Sequence, residues 1–216
     1  VEHKLSELDI SELNVQVRVQ NGVVTLTGTV PSAWAKKEII DKARRVDDVQ
    51  SVVSELSVRT AESDRSIGEQ VAKNIRRYVF YSIFDDVEIR VNNGIVTLTG
   101  RVTSPHKASE IAALASRAPG AQEVKNEIQV LPVSGFDDQL RYAIASQIYQ
   151  DPMFWNYAIQ VDPPIHIIVE NGRVTLTGVV NSEMEKRKAE IIARGTFGVF
   201  GVENKLRVEG KQTNDK

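Results

Sequence analysis

The chain contains no cysteine, which removes disulfides, thiolate metal sites and a thiol nucleophile, and suits an oxidising compartment where stray thiols are a hazard. No apolar run approaches the ~20 residues of a membrane-spanning helix. An excess of one charge is also lacking: 27 Lys and Arg stand against 29 Asp and Glu, for a net charge of −2. Divided after Thr60 and Ser134, the three segments carry −1, 0 and −1, so none has the basic footprint of a nucleic-acid binder. The three histidines, His3, His106 and His166, fall in a terminus, at a helix start and at an outward strand position, where each reads as solvated. The carboxylate pairs Asp47-Asp48, Asp85-Asp86 and Asp137-Asp138 sit at helix ends or beginnings, and the last fits helix capping. No acid, base, nucleophile or metal cluster recurs at corresponding positions, so the expectation is a protein that is not an enzyme and carries no cofactor and no metal.

What the chain does contain is a repeat. NGVVTLTG over 21–28 returns as NGIVTLTG over 93–100 and NGRVTLTG over 171–178. Apolar residues alternate before each Asn-Gly (Val15, Val17, Val19; Val87, Ile89, Val91; Ile165, Ile167, Val169) and again after it (Val24, Leu26; Val96, Leu98; Val174, Leu176). Asn-Gly accepts the positive φ that a type I′ turn needs at both central positions, so Asn21-Gly22, Asn93-Gly94 and Asn171-Gly172 mark three hairpins. The copies align without a gap onward through Gly28, Gly100 and Gly178, cap serines Ser32, Ser104 and Ser182, and strand valines Val52, Val124 and Val202. These strand-end glycines suit close packing or a bend. They cradle no phosphate, because Gly22, Gly94 and Gly172 join strands and no helix starts there.

The repeat fixes the fold class as α+β: three tandem α-β-β-α-β units, each a three-stranded mixed sheet with two helices on one face. A right-handed crossover makes the third strand parallel to the second. Boundaries fall at 1–60, 61–134 and 135–210, with a disordered tail over 211–216. The opening helix of the first unit is a stub over 1–14. In the second, Ile67, Val71, Ile75 and Tyr78 form its stripe; in the third, Phe136, Leu140, Ile144 and Ile148 do. The chain begins without Met, as a processed or truncated form would.

The V-x-V-x-N-G-x-V-T-L-T-G core, the Ser-started helix and the closing halves GAQEVKNEIQV (120–130) and FGVFGVENKLRV (197–208) resemble the BON domain (bacterial osmotically inducible and nodulation). The first copy departs from the pattern at Asp48, in place of glycine, and at Ser54, in place of asparagine. The resemblance implies a protein of the bacterial envelope, periplasmic with a cytoplasmic location as the alternative. It also implies a phospholipid-associated or osmotic-stress role and no catalytic residues.

Residues that could meet a phospholipid surface or an envelope protein lie where the copies differ. An insertion peculiar to the third repeat, 151–164, carries Met153, Phe154, Trp155 and Tyr157, which suit the headgroup level if they protrude and sheet cover if they do not. It has no Lys or Arg. Trp34 stands beside Lys36 and Lys37, and Lys186, Arg187 and Lys188 occupy the matching place in the third repeat. Arg76 and Arg77 precede the aromatic run that ends at Phe84. Cations beside aromatics suit an anionic phospholipid surface; the rival reading is a chaperone-like or protein-protein module. The outward sheet faces carry Thr25, Thr27, Thr97, Thr99, Thr175 and Thr177, ordinary solvent-side strand residues, with Ile168 outward in the third copy.

Overall fold

The computed structural model describes residues 14–59 and 62–210. The expected stub before Asn14, with His3, and the tail 211–216 lie outside the described residues. The first repeat comprises β1 (Asn14–Gln20), β2 (Val23–Val30), α1 (Ala33–Arg44) and β3 (Ser51–Val58). The second comprises α2 (Asp64–Arg76), β4 (Asp86–Asn92), β5 (Ile95–Val102), α3 (Pro105–Ser116), β6 (Glu123–Asn126) and β7 (Gln129–Val130). The third comprises α4 (Gly135–Gln150), a 3-10 turn (Pro152–Phe154), α5 (Trp155–Ala158), β8 (Ile165–Glu170), β9 (Arg173–Val180), α6 (Glu183–Gly195), β10 (Gly201–Asn204) and β11 (Arg207–Val208). In every repeat the second hairpin strand is central, antiparallel to the first where that register is defined and parallel to the third.

By their contacts the residues form two compact units. Among the described residues, one holds 14–59, 62–77, 89–98 and 109–127; the other holds 78–88, 99–108 and 128–210. In the first unit Val24, Leu26 and Val30 of β2 pack with Ala35, Ile39 and Ala43 of α1 and Leu56 of β3. In the second, Leu140, Ile144 and Ile148 of α4 and Ala189 and Ala193 of α6 cover Ile165, Ile167, Val169, Val174 and Leu176 on one face of the sheet. The alanines let α6 approach that sheet closely, while the branched residues fill the space under α4.

The turns are held from a distance. Asn21, Asn93 and Asn171 have φ of 50°, 50° and 52°, and the glycines after them 77°, 76° and 72°. Both amides of such a turn point the same way and want one acceptor. In the third repeat the buried carboxylate of Asp137 supplies it, accepting from Asn171 N at 2.9 Å and Gly172 N at 2.8 Å. Asp64 does the same for Asn93 N and Gly94 N, at 2.8 Å each, from a more exposed place. Charge-assisted bonds contribute about 1.5–3 kcal/mol each, and a buried amide left unpaired costs about 1–3 kcal/mol. Asp137→Ala is therefore expected to lower the unfolding free energy by about 3 kcal/mol in urea titration, with Asp64→Ala costing clearly less.

The departure at Ser54 has a structural counterpart. Asn204 Oδ1 accepts from Leu206 N at 3.2 Å while its Nδ2 donates to Lys186 O and Glu190 Oε2. A side chain that captures the amide two residues on competes with the strand ladder. The third strand accordingly breaks into β10 and β11 without a change of register, Leu176 facing Asn204 and Val179 facing Arg207. With serine at that place, β3 runs unbroken for eight residues.

Expectations at four residues are corrected: Tyr78, His166, Ile168 and Asp85. Helix α2 closes at Arg76, with Arg77 N donating to Ile75 O, so Tyr78 does not extend its stripe. The residues that follow serve the third repeat instead, where Ile167 N donates to Ile83 O at 2.7 Å. His166 is half-buried rather than solvated. Its Nδ1 donates to Asp85 O at 2.6 Å, and its ring lies 5.8 Å from that of Tyr81. Ile168, expected outward, is buried as well. Asp85 itself is more than a helix-end carboxylate: it is fully buried and accepts from Ser82, Thr103 and Lys107 Nζ, the last at 2.7 Å.

Candidate interaction surface

The insertion starts with Asp151, whose Oδ1 accepts from Met153 N at 3.0 Å and whose other oxygen meets Lys188 Nζ at 3.1 Å. The Met153 amide first, and the Lys188 ammonium after it, hold the Asp151 carboxyl below its usual range. Pro152 opens the 3-10 turn, for which its missing donor costs nothing, and α5 follows directly. One face of this short helical run points in. Phe154 is fully buried and Tyr157 nearly so, their rings 6.1 Å apart and stacked. The Tyr157 hydroxyl donates to Glu185 Oε2 at 2.8 Å and accepts from Asn181 N at 2.9 Å. Burial, with Glu185 beside it, pushes this phenol up to about 12. Glu185 also completes the capping box of Ser182.

Phe154 and Tyr157 are thus core residues and cannot meet a ligand. At i, i+3 spacing they fall on the buried face, and two aromatic rings contribute more by filling the third repeat than by standing in water. The opposite face is Trp155 and Ile159, 69% and 72% exposed, with Val161 fully exposed beyond them and Met153 at 36%. Trp155 and Ile159 lie at i, i+4, so the anchors inside and the apolar surface outside follow from one helical period. Ile159 and Val161 escaped notice in the sequence because neither is aromatic; for Ile159 the signal is that four-residue spacing.

Lys188 brings the start of α6 against the insertion through Asp151, and Tyr157 does so through Glu185. Arg187 is exposed, and Lys186 and Lys188 are half-buried. Of these, Lys188 is placed against the insertion, by its pair with Asp151. Trp34, Lys36 and Lys37 belong to the other compact unit. There the Arg117 guanidinium lies 5.3 Å from the centre of the Trp34 ring, while Lys37 pairs loosely with Asp41 at 3.8 Å. Arg76 and Arg77 are exposed at the end of α2. Of the aromatic run after them, Phe84 packs edge-on against Tyr142, whereas Val79 and Phe80 stay exposed.

Among the described residues no group of three or more His, Asp or Glu is placed to hold a metal ion. No helix among them is long and apolar enough to cross a membrane. The polar side chains with the most partners cap helices, clamp turns or tie neighbouring segments together. Such an arrangement defines a tandem array of small α+β units that presents apolar and basic surface.

The chain belongs to the BON domain family, which matches it over residues 1–60, 63–132 and 137–210. It is similar to Osmotically-inducible protein Y of Escherichia coli (strain K12), 28% identical over 133 residues, a match covering 57% of this chain and 62% of that protein. Solved structures with a likeness include the C-terminal domain of CdsD, a structural protein of the type III secretion system of Chlamydia trachomatis. It is 17% identical with a TM-score of 0.28, over 95% of this chain and 96% of that one. The periplasmic domain of the type III secretion inner-membrane protein PrgH from S. typhimurium is 13% identical with a TM-score of 0.23, over 94% of this chain and 99% of that one.

Proposed function

We propose that the chain is a non-enzymatic protein of the bacterial envelope, periplasmic, that acts under osmotic or envelope stress by resting on anionic phospholipid. The observation that carries the reading is the two-faced insertion: Phe154 and Tyr157 are rooted in the core while Trp155, Ile159 and Val161 stand in solvent, on a segment tied to the basic start of α6 through the Asp151–Lys188 pair. An amphipathic surface of this kind sinks its apolar side chains to the headgroup level and meets lipid phosphates with the cations around it. Similarity to an osmotically inducible protein supports the stress setting, as BON membership supports the envelope.

Burying one aromatic side chain is worth about 1.5–3 kcal/mol. Trp155→Ala is accordingly expected to lower co-sedimentation with anionic vesicles by about tenfold or more. It should leave the unfolding midpoint nearly unchanged, since the side chain touches little. Equal recovery of wild type on anionic and neutral vesicles, unaffected by the substitution, would contradict the reading.

A further inference from the structure

The first two repeats meet through a small, well-defined contact inside one compact unit. The start of α1 supplies one side: Ala33 N donates to Ala121 O at 2.7 Å, and Pro31 O accepts from Gly120 N at 2.8 Å. Trp34 lies against Arg117 from the other side. The first repeat thus presents the beginning of its closing helix, and the second receives it on the bend that ends its own.

The gapless alignment places both the helix start and the bend in the third repeat, with Gly195 in place of Arg117. Gly198 stands at the position of Gly120 with the same left-handed backbone, φ 93° against 83°. Val199 stands at the position of Ala121, and Met184 at that of Trp34. Among the described residues, the Gly198 amide and the Val199 carbonyl have no hydrogen-bond partner. Apolar side chains surround them. Phe197 is fully exposed, Phe200 is 73% exposed, and Phe136 tilts against Phe200 with ring centres 6.2 Å apart. Met184, 69% exposed, offers the matching knob at the start of α6.

Comparison of the copies shows what this corner has lost. Phe197 replaces Asp47 and Pro119, and Phe200 replaces Gln50 and Gln122. All three residues at the last position pack on their turn glycine in the same way, so the turn itself does not require phenylalanine. From Gly195 to Val202 the third repeat carries no charge, whereas both other copies have charged residues in that stretch. An exposed, uncharged aromatic cluster beside two unused backbone groups is what a docking corner looks like before it is covered.

We infer that this corner receives a second copy of the chain, whose α6 start, led by Met184, docks there as the α1 start docks on the bend after α3. Donor and acceptor are different surfaces of one repeat, so the contact is heterologous and association runs head to tail. The internal contact supplies the geometry, and its small size makes the association weak, in the range of about 10 µM to 1 mM.

Sedimentation of the full chain over that concentration range tests the inference. The wild-type mass should rise with concentration. Phe197→Asp combined with Phe200→Gln, which installs residues the first repeat tolerates at those places, should stay monomeric, as should Met184→Lys. An equimolar mixture of these two variants should form dimers and nothing larger, because each retains the half the other has lost. A wild type monomeric throughout, or a double variant that associates as wild type does, would overturn the inference. A monomeric protein whose binding to anionic vesicles falls in the double variant would overturn it as well and assign the corner to lipid.

Discussion

Phe154→Ala is expected to lower the stability of the third repeat by about 3–5 kcal/mol, the usual cost of emptying a large buried aromatic site. The ring is fully buried, stacked on Tyr157 and part of the same core as Ile144, Ile148 and Ala189. The insertion's other ties include the Asp151 cap, the Lys188 pair, the Tyr157 hydroxyl and, at its far end, Val179 N donating to Pro164 O. Removing the anchor therefore frees the surface that Trp155 presents, and vesicle binding should fall together with the unfolding midpoint. In Trp155→Ala, by contrast, binding should fall alone. Urea titration and co-sedimentation of the two variants side by side separate the anchor from the contact, although the two residues are adjacent in the sequence.

Gly178→Ala is expected to cost several kcal/mol and to prevent the β8-β9 hairpin from closing. A Cβ there would stand 1.8 Å from Pro164 O, a backbone atom that cannot swing aside, at a φ of +110°. Its counterparts face the same obstacle, Gly28 with Asn14 O at 1.9 Å and Gly100 with Asp86 O at 2.1 Å. The left-handed backbone alone costs a non-glycine residue roughly 1–3 kcal/mol, and the clash adds displacement of the strand start. Gly210→Ala is the control, having a φ of +78° but nothing within 4 Å of the added carbon. It should show the backbone cost without the clash. Thermal unfolding of the two variants tests the difference, and equal losses would show that conformation rather than close approach sets the requirement.

Much of the fold was legible because it was written three times. Period-two alternation on either side of Asn-Gly, followed by a Ser-capped helix, specifies a hairpin and its crossover whatever the rest of the chain does. The break in the third strand was half-legible: Ser54 stood out as a departure, but that Asn204 diverts the ladder by capturing the Leu206 amide needs coordinates. Long-range polar ties left no local trace. Asp137 reaches a turn 34 residues away, and His166 meets a carbonyl 81 residues away; neither distance is visible in a pattern of period two or 3.6.

The candidate surface was located but not resolved. Composition drew attention to Met153, Phe154, Trp155 and Tyr157 as a group, and composition cannot say which ring faces inward. Helical spacing within the insertion could have, had so short a stretch, broken by Pro152, been read as helix. The aromatic corner of Phe136, Phe197 and Phe200 went unnoticed for a different reason. Its members are 61 and 3 positions apart, and they stand out only when each is set against the residue its sister copies carry.

On the proposed function, Trp155 is the point at which this protein enters a lipid surface. The chain has only two tryptophans, and Trp34→Phe keeps a ring for Arg117 while leaving Trp155 as the sole reporter. With anionic vesicles its emission should shift to the blue and become shielded from a water-soluble quencher; neutral vesicles should change neither. Emission and quenching that stay as they are in buffer, at vesicle concentrations where the protein co-sediments, would contradict the account.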